Sequence, residues 1–258
     1  MMMLALAWKN IWRNKKRSLI ILIATAIGLT AGLFTVGMIT GMYDSVVYSG
    51  INREIGELQI HTSAFKKDQL ISQNLPQPDS IMNIVKKYPN IKSAASHSLI
   101  EGMASSPTSS SGGIIIGINP DGEKQVTSIS KSLIDGSYLE EPNTVLIGNK
   151  LAEKLKLKLR SKIVLSFSGL DGSIIYGAFR ISGIYRTEST NFDASNIFIS
   201  RSDLIPLLDT EVPVHEIIIR VKNSGLLEMT QLDLGKMVQN FNSTQDNDQI
   251  VVENWKEI

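Results

Sequence analysis

The chain has 258 residues and no cysteine. That removes disulfides and thiolate metal sites, and with them a lipoprotein signal, which needs a cysteine to carry the lipid. No charge of either sign predominates: 26 Lys and Arg stand against 25 Asp and Glu, a formal net charge of +1. Nucleic-acid binders carry a basic excess, so this balance argues against one. Catalytic signatures are also missing. There is no G-x-S-x-G elbow and no H-E-x-x-H pair. Residues 117–124 resemble a phosphate-binding loop only superficially, because Glu123 takes the lysine position and no Ser or Thr follows Lys124. Without that lysine and that magnesium-binding hydroxyl there is no ATP chemistry, so the segment reads as a strand running into a turn. The three histidines, His61, His97 and His215, fall on separate expected strands and read as satisfied strand-face residues. Glu140 and Glu141 sit beside Pro142 in a loop. The sequence therefore offers no catalytic residues, no metal site and no cofactor bound by this chain. No fixed-period repeat is visible.

What is present is one long apolar run. Residues 19–42 contain no charge, and Lys9, Arg13, Lys15, Lys16 and Arg17 stand just ahead of them. At about 1.5 Å per residue the run extends roughly 36 Å, against a hydrocarbon core of roughly 30 Å. The core of a cleaved secretory signal would be about 7–15 residues long, so this reads as an uncleaved transmembrane anchor over residues 19–43. Basic residues stay on the cytoplasmic side, which places the N-terminus in the cytoplasm and residues 44–258 outside. Within residues 1–18, Leu4, Ala7, Trp8, Ile11 and Trp12 recur at helical spacing. That pattern predicts an interfacial amphipathic helix, with Trp8 and Trp12 at headgroup depth and Arg13, Lys15, Lys16 and Arg17 setting orientation.

Small residues punctuate the span. Gly28 and Gly32 are four apart, as are Gly37 and Gly41. Such notches let another helix approach closely in lipid, so this helix is expected to pack in a bundle. Thr25, Thr30, Thr35 and Thr40 recur every fifth residue and can bond to their own backbone.

Beyond the anchor the pattern is irregularly mixed. A short helical extension is expected after residue 44, then strands at 57–62, 91–103, 113–118, 144–148, 163–167, 174–185, 196–200, 215–221 and 249–252. Helices are expected at 80–88 (capped by Asp79 or Ser80), 149–157, 202–208 and 226–241. Residues 63–78 and 104–113 read as loops, and 119–122 as a turn. Strands outnumber helices without strict alternation, which points to an α+β domain rather than a doubly wound sheet.

The run Leu6-Ala7-Trp8-Lys9-Asn10-Ile11-Trp12-Arg13-Asn14-Lys15-Lys16-Arg17-Ser18, followed at once by a Gly/Thr-rich membrane helix, resembles the start of FtsX-like ABC transporter permeases, the MacB and LolC/LolE relatives. The strand Glu57-Leu58-Gln59-Ile60-His61 resembles the first extracytoplasmic strand of that family. So do Gly117-Ile118-Asn119-Pro120, Gly136-Ser137-Tyr138-Leu139, Val145-Leu146-Ile147-Gly148 and Gly183-Ile184-Tyr185, in the family's order. Residues 159–162 depart from it, lacking a glycine turn before the strand.

The resemblance implies a MacB-like periplasmic core of two lobes: a flanking lobe from about 44–103 and 210–258, and an inserted lobe from about 104–209. It implies a permease subunit in the inner membrane, with ATP and magnesium held by a separate cytoplasmic ABC ATPase subunit. It further implies a second permease copy or paralogue as a dimer partner, and a lipoprotein or other envelope substrate. Release of lipoproteins from the inner membrane is the expected activity. MacB-type efflux of drugs or peptides and a single-pass anchored binding or sensor module are the alternatives. Family permeases carry three further membrane helices after the outer domain, which residues up to 258 do not include. One helix alone cannot couple nucleotide hydrolysis to movement outside.

Overall fold

The computed structural model describes residues 12–51, 56–242 and 249–257. The chain forms two compact units, residues 1–49 and 50–258. The first is dominated by helix α1 (Lys15–Gly50). Its stretch Lys15–Tyr43 is long and apolar enough to cross a membrane, and none of it is buried in the protein. Each Leu, Ile, Val or Phe near the middle of such a helix favours insertion by about 0.3–0.6 kcal/mol, so exposed Ile27, Leu29, Leu33 and Phe34 are at home only in lipid. The helix continues past the apolar run to Gly50, as the sequence predicts. Trp8 and the rest of residues 1–11 lie outside the described residues. Trp12 and Arg13 are helical, and a turn at Asn14 separates them from α1.

The second unit is a mixed α+β domain. In chain order it runs β1 (Leu58–Thr62), α2 (Ser63–Asp68), α3 (Pro78–Lys87), β2 (Ile91–Ser105), β3 (Ser110–Ile118), α4 (Pro120–Val126), β4 (Leu133–Gly136), β5 (Thr144–Gly148) and α5 (Asn149–Leu155). It continues with β6 (Lys162–Ser168), β7 (Ile174–Tyr185), α6 (Thr190–Ser195), β8 (Asn196–Ser200), α7 (Arg201–Leu208), β9 (Glu216–Val221), α8 (Leu227–Val238) and β10 (Ile250–Asn254).

Four readings are corrected by the structure. Residues 63–68 form α2 rather than loop, because Thr62 caps it, its side-chain oxygen accepting from the Phe65 amide, and Phe65 supplies a buried anchor. The Ser/Gly-rich stretch 104–113 is mostly strand: β2 and β3 pair without interruption from Ser98↔Gly117 to Ser105↔Ser110, leaving only residues 106–109 to turn. Its composition reads as loop, but cross-strand pairing overrides that tendency. Residues 119–122 open a helix, since Asn119 Oδ1 accepts from the amides of Asp121 and Gly122. Finally, α3 begins at Pro78 behind a left-handed Gln77, with no side-chain cap from Asp79 or Ser80. Strand β4 and helix α6 are additions that the sequence pattern did not predict.

The strands form one ten-stranded sheet ordered β10-β1-β9-β2-β3-β8-β5-β7-β4, with β6 bridging β2 and β7. That bridge closes a ring, β2-β3-β8-β5-β7-β6 and back to β2. Closure removes free edges from this part of the sheet. The ring encloses a core that includes Ile100, Ile115, Val145, Ile163, Phe179 and Ile197. A second core lies on the other half-sheet, where Leu58, Ile60, Ile217 and Ile219 meet Ile81 and Val85 of α3 and Leu234 and Val238 of α8.

Strand β2 belongs to both halves. Up to His97 it pairs with β9, and from Ser98 it pairs with β3. Fifteen continuous residues thus tie the two cores together.

Candidate functional site

The crossover on β2 is also where polar groups converge. His97 is buried, with Nε2 2.8 Å from Glu123 Oε2 and Nδ1 3.0 Å from Glu216 Oε1. Three elements supply the cluster: β2, the α4 helix that follows β3, and β9. Thr127 Oγ1 donates to the other Glu123 oxygen at 2.7 Å. Carboxylates only accept, so both imidazole nitrogens donate and His97 is an imidazolium. Burial pulls its pKa down, but the charges and hydrogen bonds of Glu123 and Glu216 outweigh that and push it up to about 10.

His215, just ahead of β9, is the opposite case. Its Nδ1 accepts the Leu99 amide at 2.9 Å, and Nε2 donates to the Ile71 carbonyl at 3.0 Å. A nitrogen that accepts carries no proton, so this ring is neutral. Burial, which lowers the pKa, dominates there. The ring stacks on Phe65 with centroids 4.7 Å apart.

Strand register then extends the site sideways. His61 lies opposite Glu216, and Glu216 opposite His97. Residues in register share a sheet face. Along that face Gln59 lies opposite Glu253, Leu99 opposite Ile116, and Ile116 opposite Phe198. Helix α2 brings Phe65 and Lys66 against one end. The result is a cleft of about 410 Å³ across β10, β1, β9, β2, β3 and β8. Its β1–β9 end is polar: Lys66 Nζ contacts Glu253 Oε2 at 2.6 Å, and His61 Nε2 lies 3.3 Å from the same oxygen. Its middle is apolar, made by Leu99, Ile116 and Phe198. At the far end Glu101 is opposite Ile114, and Ile114 is opposite Asn196. The size falls within the range of small-molecule sites.

Sequence reasoning found the histidines satisfied, and they are. It did not bring them together. His61 and His97 are both placed in this cleft by register across β9, which the sequence does not state. Glu123 is the more instructive miss. The residue that disqualifies the phosphate-loop reading is a fully buried carboxylate. Its signal was a charged residue on the apolar side of a short capped helix. Among the described residues no group of three or more His, Asp and Glu is arranged to hold a metal ion.

On α1, the notches at Gly28, Gly32, Gly37 and Gly41 are open, since a β-carbon at each would meet nothing within 4 Å. All four threonines donate to the carbonyl four residues back: Thr25 to Ile21, Thr30 to Ala26, Thr35 to Ala31 and Thr40 to Val36, at 2.8–2.9 Å. Their hydroxyls are thereby hidden from lipid. Arg13, Lys15, Lys16 and Arg17 are exposed, and Lys15 Nζ lies 4.8 Å from the Trp12 ring centroid.

Comparison with solved structures finds the same fold elsewhere. The extracellular domain of the noncanonic ABC-type transporter YknZ from Gram-positive bacteria aligns with a TM-score of 0.53 at 15% identity, over 76% of this chain and 98% of that one. The periplasmic region of MacB from Actinobacillus actinomycetemcomitans aligns with a TM-score of 0.54 at 15% identity, over 79% of this chain and 91% of that one. No curated protein matches the sequence. The profile of the MacB-like periplasmic core domain matches residues 18–236, from the start of the apolar helix to within α8. With well over half its length so matched, the chain belongs to the MacB-like periplasmic core domain family.

Proposed function

We propose that this chain is the anchor and extracytoplasmic part of an ABC transporter permease that converts cytoplasmic ATP hydrolysis into work on an envelope substrate. The observation that carries the reading is the family match across both the apolar helix and the mixed domain. Two features support a mechanical role. The glycine notches of α1 suit packing against further membrane helices. The two cores share one unbroken strand, so displacement of one must load the other through β2. In this reading the N-terminus is cytoplasmic, residues 44–258 are periplasmic, and a second permease subunit pairs with this one in the inner membrane. ATP and magnesium are bound by a separate ATPase subunit.

The favoured cargo is a lipoprotein, released from the inner membrane. Its support is the ordered set of FtsX-like motifs together with an outer domain of about two hundred residues, a typical single-domain size. The second reading is MacB-type efflux of a drug or peptide, which the same motifs and the MacB-like family match fit equally.

Affinity purification from membranes tests the core of the proposal. An ABC ATPase should co-purify, and its ATP turnover should change when the permease is present. A permease that leaves the turnover of its ATPase unchanged would overturn it. Deletion then separates the cargoes: lipoproteins stranded in the inner membrane for release, antibiotic sensitivity for efflux.

A further inference from the structure

The cleft across the sheet holds hydrogen-bond acceptors that no described residue satisfies, Asn196 Oδ1 among them. Gln59, only 6% exposed, lines the cleft. Glu216 and Glu253 each use a single oxygen, Oε1 towards His97 and Oε2 towards Lys66 and His61. The other oxygen of each is free of protein partners among the described residues. Charge is also left over. The His97 cation offsets only one of its two carboxylates, Glu123 and Glu216, and Lys66 offsets Glu253. Among the described residues three carboxylates, Glu123, Glu216 and Glu253, thus meet two standing cations, with His61 beside Glu253 adding a third only when protonated.

A second negative charge lies at the other end. Glu101 is exposed and has no ion-pair partner among the described residues. Asn196, at the same end, is buried with Oδ1 unpaired. Between the ends the surface is apolar: Leu99, Ile116 and Phe198. Register sets the spacing. Glu216 stands at the level of His97 on β2, and Glu101 is four residues further along. At about 3.3 Å per residue the two backbone levels are roughly 13 Å apart along the strands.

We propose that this cleft binds an elongated organic dication, two ammonium or guanidinium groups joined by an apolar spacer of roughly 13 Å. One cationic head sits at Glu216, bordered by Gln59 and Glu253, the spacer lies on Leu99 with Ile116 and Phe198 beside it, and the second head reaches Glu101. A volume of about 410 Å³ suits a small molecule of this kind. Because the site lies where β2 passes between the two cores, its occupant would touch both half-sheets. The inference goes beyond the transporter reading and does not depend on it.

The test is calorimetric titration of the full chain in phosphatidylcholine nanodiscs, with empty nanodiscs subtracted. Three probes are compared: 1,10-diaminodecane, 10-amino-1-decanol (same length, one cation) and 1,4-diaminobutane (two cations, too short). The long diamine should bind tightest, by roughly five-fold or more over each of the others, as expected for one added ion pair at a partly exposed site. Glu101→Gln should reduce the diamine to the affinity of the amino alcohol and leave the amino alcohol unchanged. Gln59→Leu should weaken both long probes. Glu101 is exposed, so Glu101→Gln does not threaten folding, and circular dichroism checks both variants. Equal affinity for the three probes, absence of binding at millimolar concentration, or an unchanged diamine affinity in folded Glu101→Gln would each overturn the proposal. None of these results bears on whether an ATPase co-purifies, so the two readings fail separately.

Discussion

His97 Nε2 lies 2.8 Å from Glu123 Oε2, with side-chain exposures of only 4% and 0%. The pair is held together by charge in a place that water does not reach. Removing one member of such a pair leaves the other charge buried alone, which costs about 3–5 kcal/mol. His97→Leu strands two carboxylates, Glu123 and Glu216, and should lower unfolding free energy by about that amount. Adding Glu123→Gln to it should recover part of the loss. Chemical denaturation of the two variants against wild type measures both effects. A double variant less stable than His97→Leu would contradict this account.

The same cation predicts a pH dependence. The folded pKa of His97, about 10, stands above its ordinary 6.5. The folded state therefore holds an extra proton between these values, and stability falls with rising pH there. The contribution is complete below about pH 6.5 and gone above about pH 10. Denaturation of wild type and His97→Gln from pH 6 to 10 should show the gap between them closing as pH rises. A constant gap would mean that the ring is not charged in the folded protein.

His215 should respond in the opposite direction. Burial holds its pKa below the ordinary value, so the unfolded chain takes up the proton first as pH falls. The folded state is then destabilised below about pH 6.5, and the penalty is absent above it. His215→Leu would remove that acid sensitivity, but it leaves the Leu99 amide and the Ile71 carbonyl unpaired. A cost of about 2–3 kcal/mol at pH 8 is expected, with a smaller difference at pH 5. Nuclear magnetic resonance titration of the two rings reads the contrast directly: no charging of His215 near pH 6.5, and no loss of charge on His97 there.

These clusters show how far the sequence is legible. The boundaries of β7 could be read directly, because Ile174–Tyr185 is apolar or alternating between a glycine turn and a charged segment. The inward face of α5 was equally legible, since Leu151, Ala152 and Leu155 face inward as their spacing predicts, although the helix ends at Leu155 rather than at residue 157. Two things were not legible. One is strand pairing: nothing local in β9 says that it lies between β1 and β2, so the convergence of His61, His97 and Glu216 could not be read. The other is the burial of charge. Glu123 scores as a polar residue in any one-dimensional pattern, and only its partner, 26 residues away on β2, makes its burial tolerable.

Gly148 is a position where the backbone itself excludes a side chain. It links β5 to α5, and a β-carbon there would collide with the backbone of Asp193 in α6. Asp193 cannot readily yield, since its carboxylate accepts from the Thr187 amide and hydroxyl. Gly148→Ala should therefore destabilise by about 2 kcal/mol or more. Gly112→Ala is the control, because a β-carbon there meets nothing within 4 Å, and it should stay within about 0.5 kcal/mol of wild type. Thermal unfolding of both variants decides the matter. Equal melting temperatures would show that α6 moves aside at little cost.

The glycines of α1 make a prediction of a different kind, about association rather than folding. Gly28 and Gly32 lie on one helical face, and their space is open in the isolated helix. Replacing them by isoleucine should leave insertion intact, since isoleucine favours the membrane interior more than glycine does. Any helix that packs closely on that face would be forced away. The double variant Gly28→Ile, Gly32→Ile should insert normally and lose most of its self-association or partner association in a two-hybrid membrane reporter. Gly37→Ile, Gly41→Ile tests the next notch in the same way. Thr30→Val separates packing from helix chemistry: its hydroxyl already bonds to Ala26, so its loss should change association little. If the glycine variants associate as well as wild type while Thr30→Val does not, the contact is made by hydroxyls and the notches are incidental.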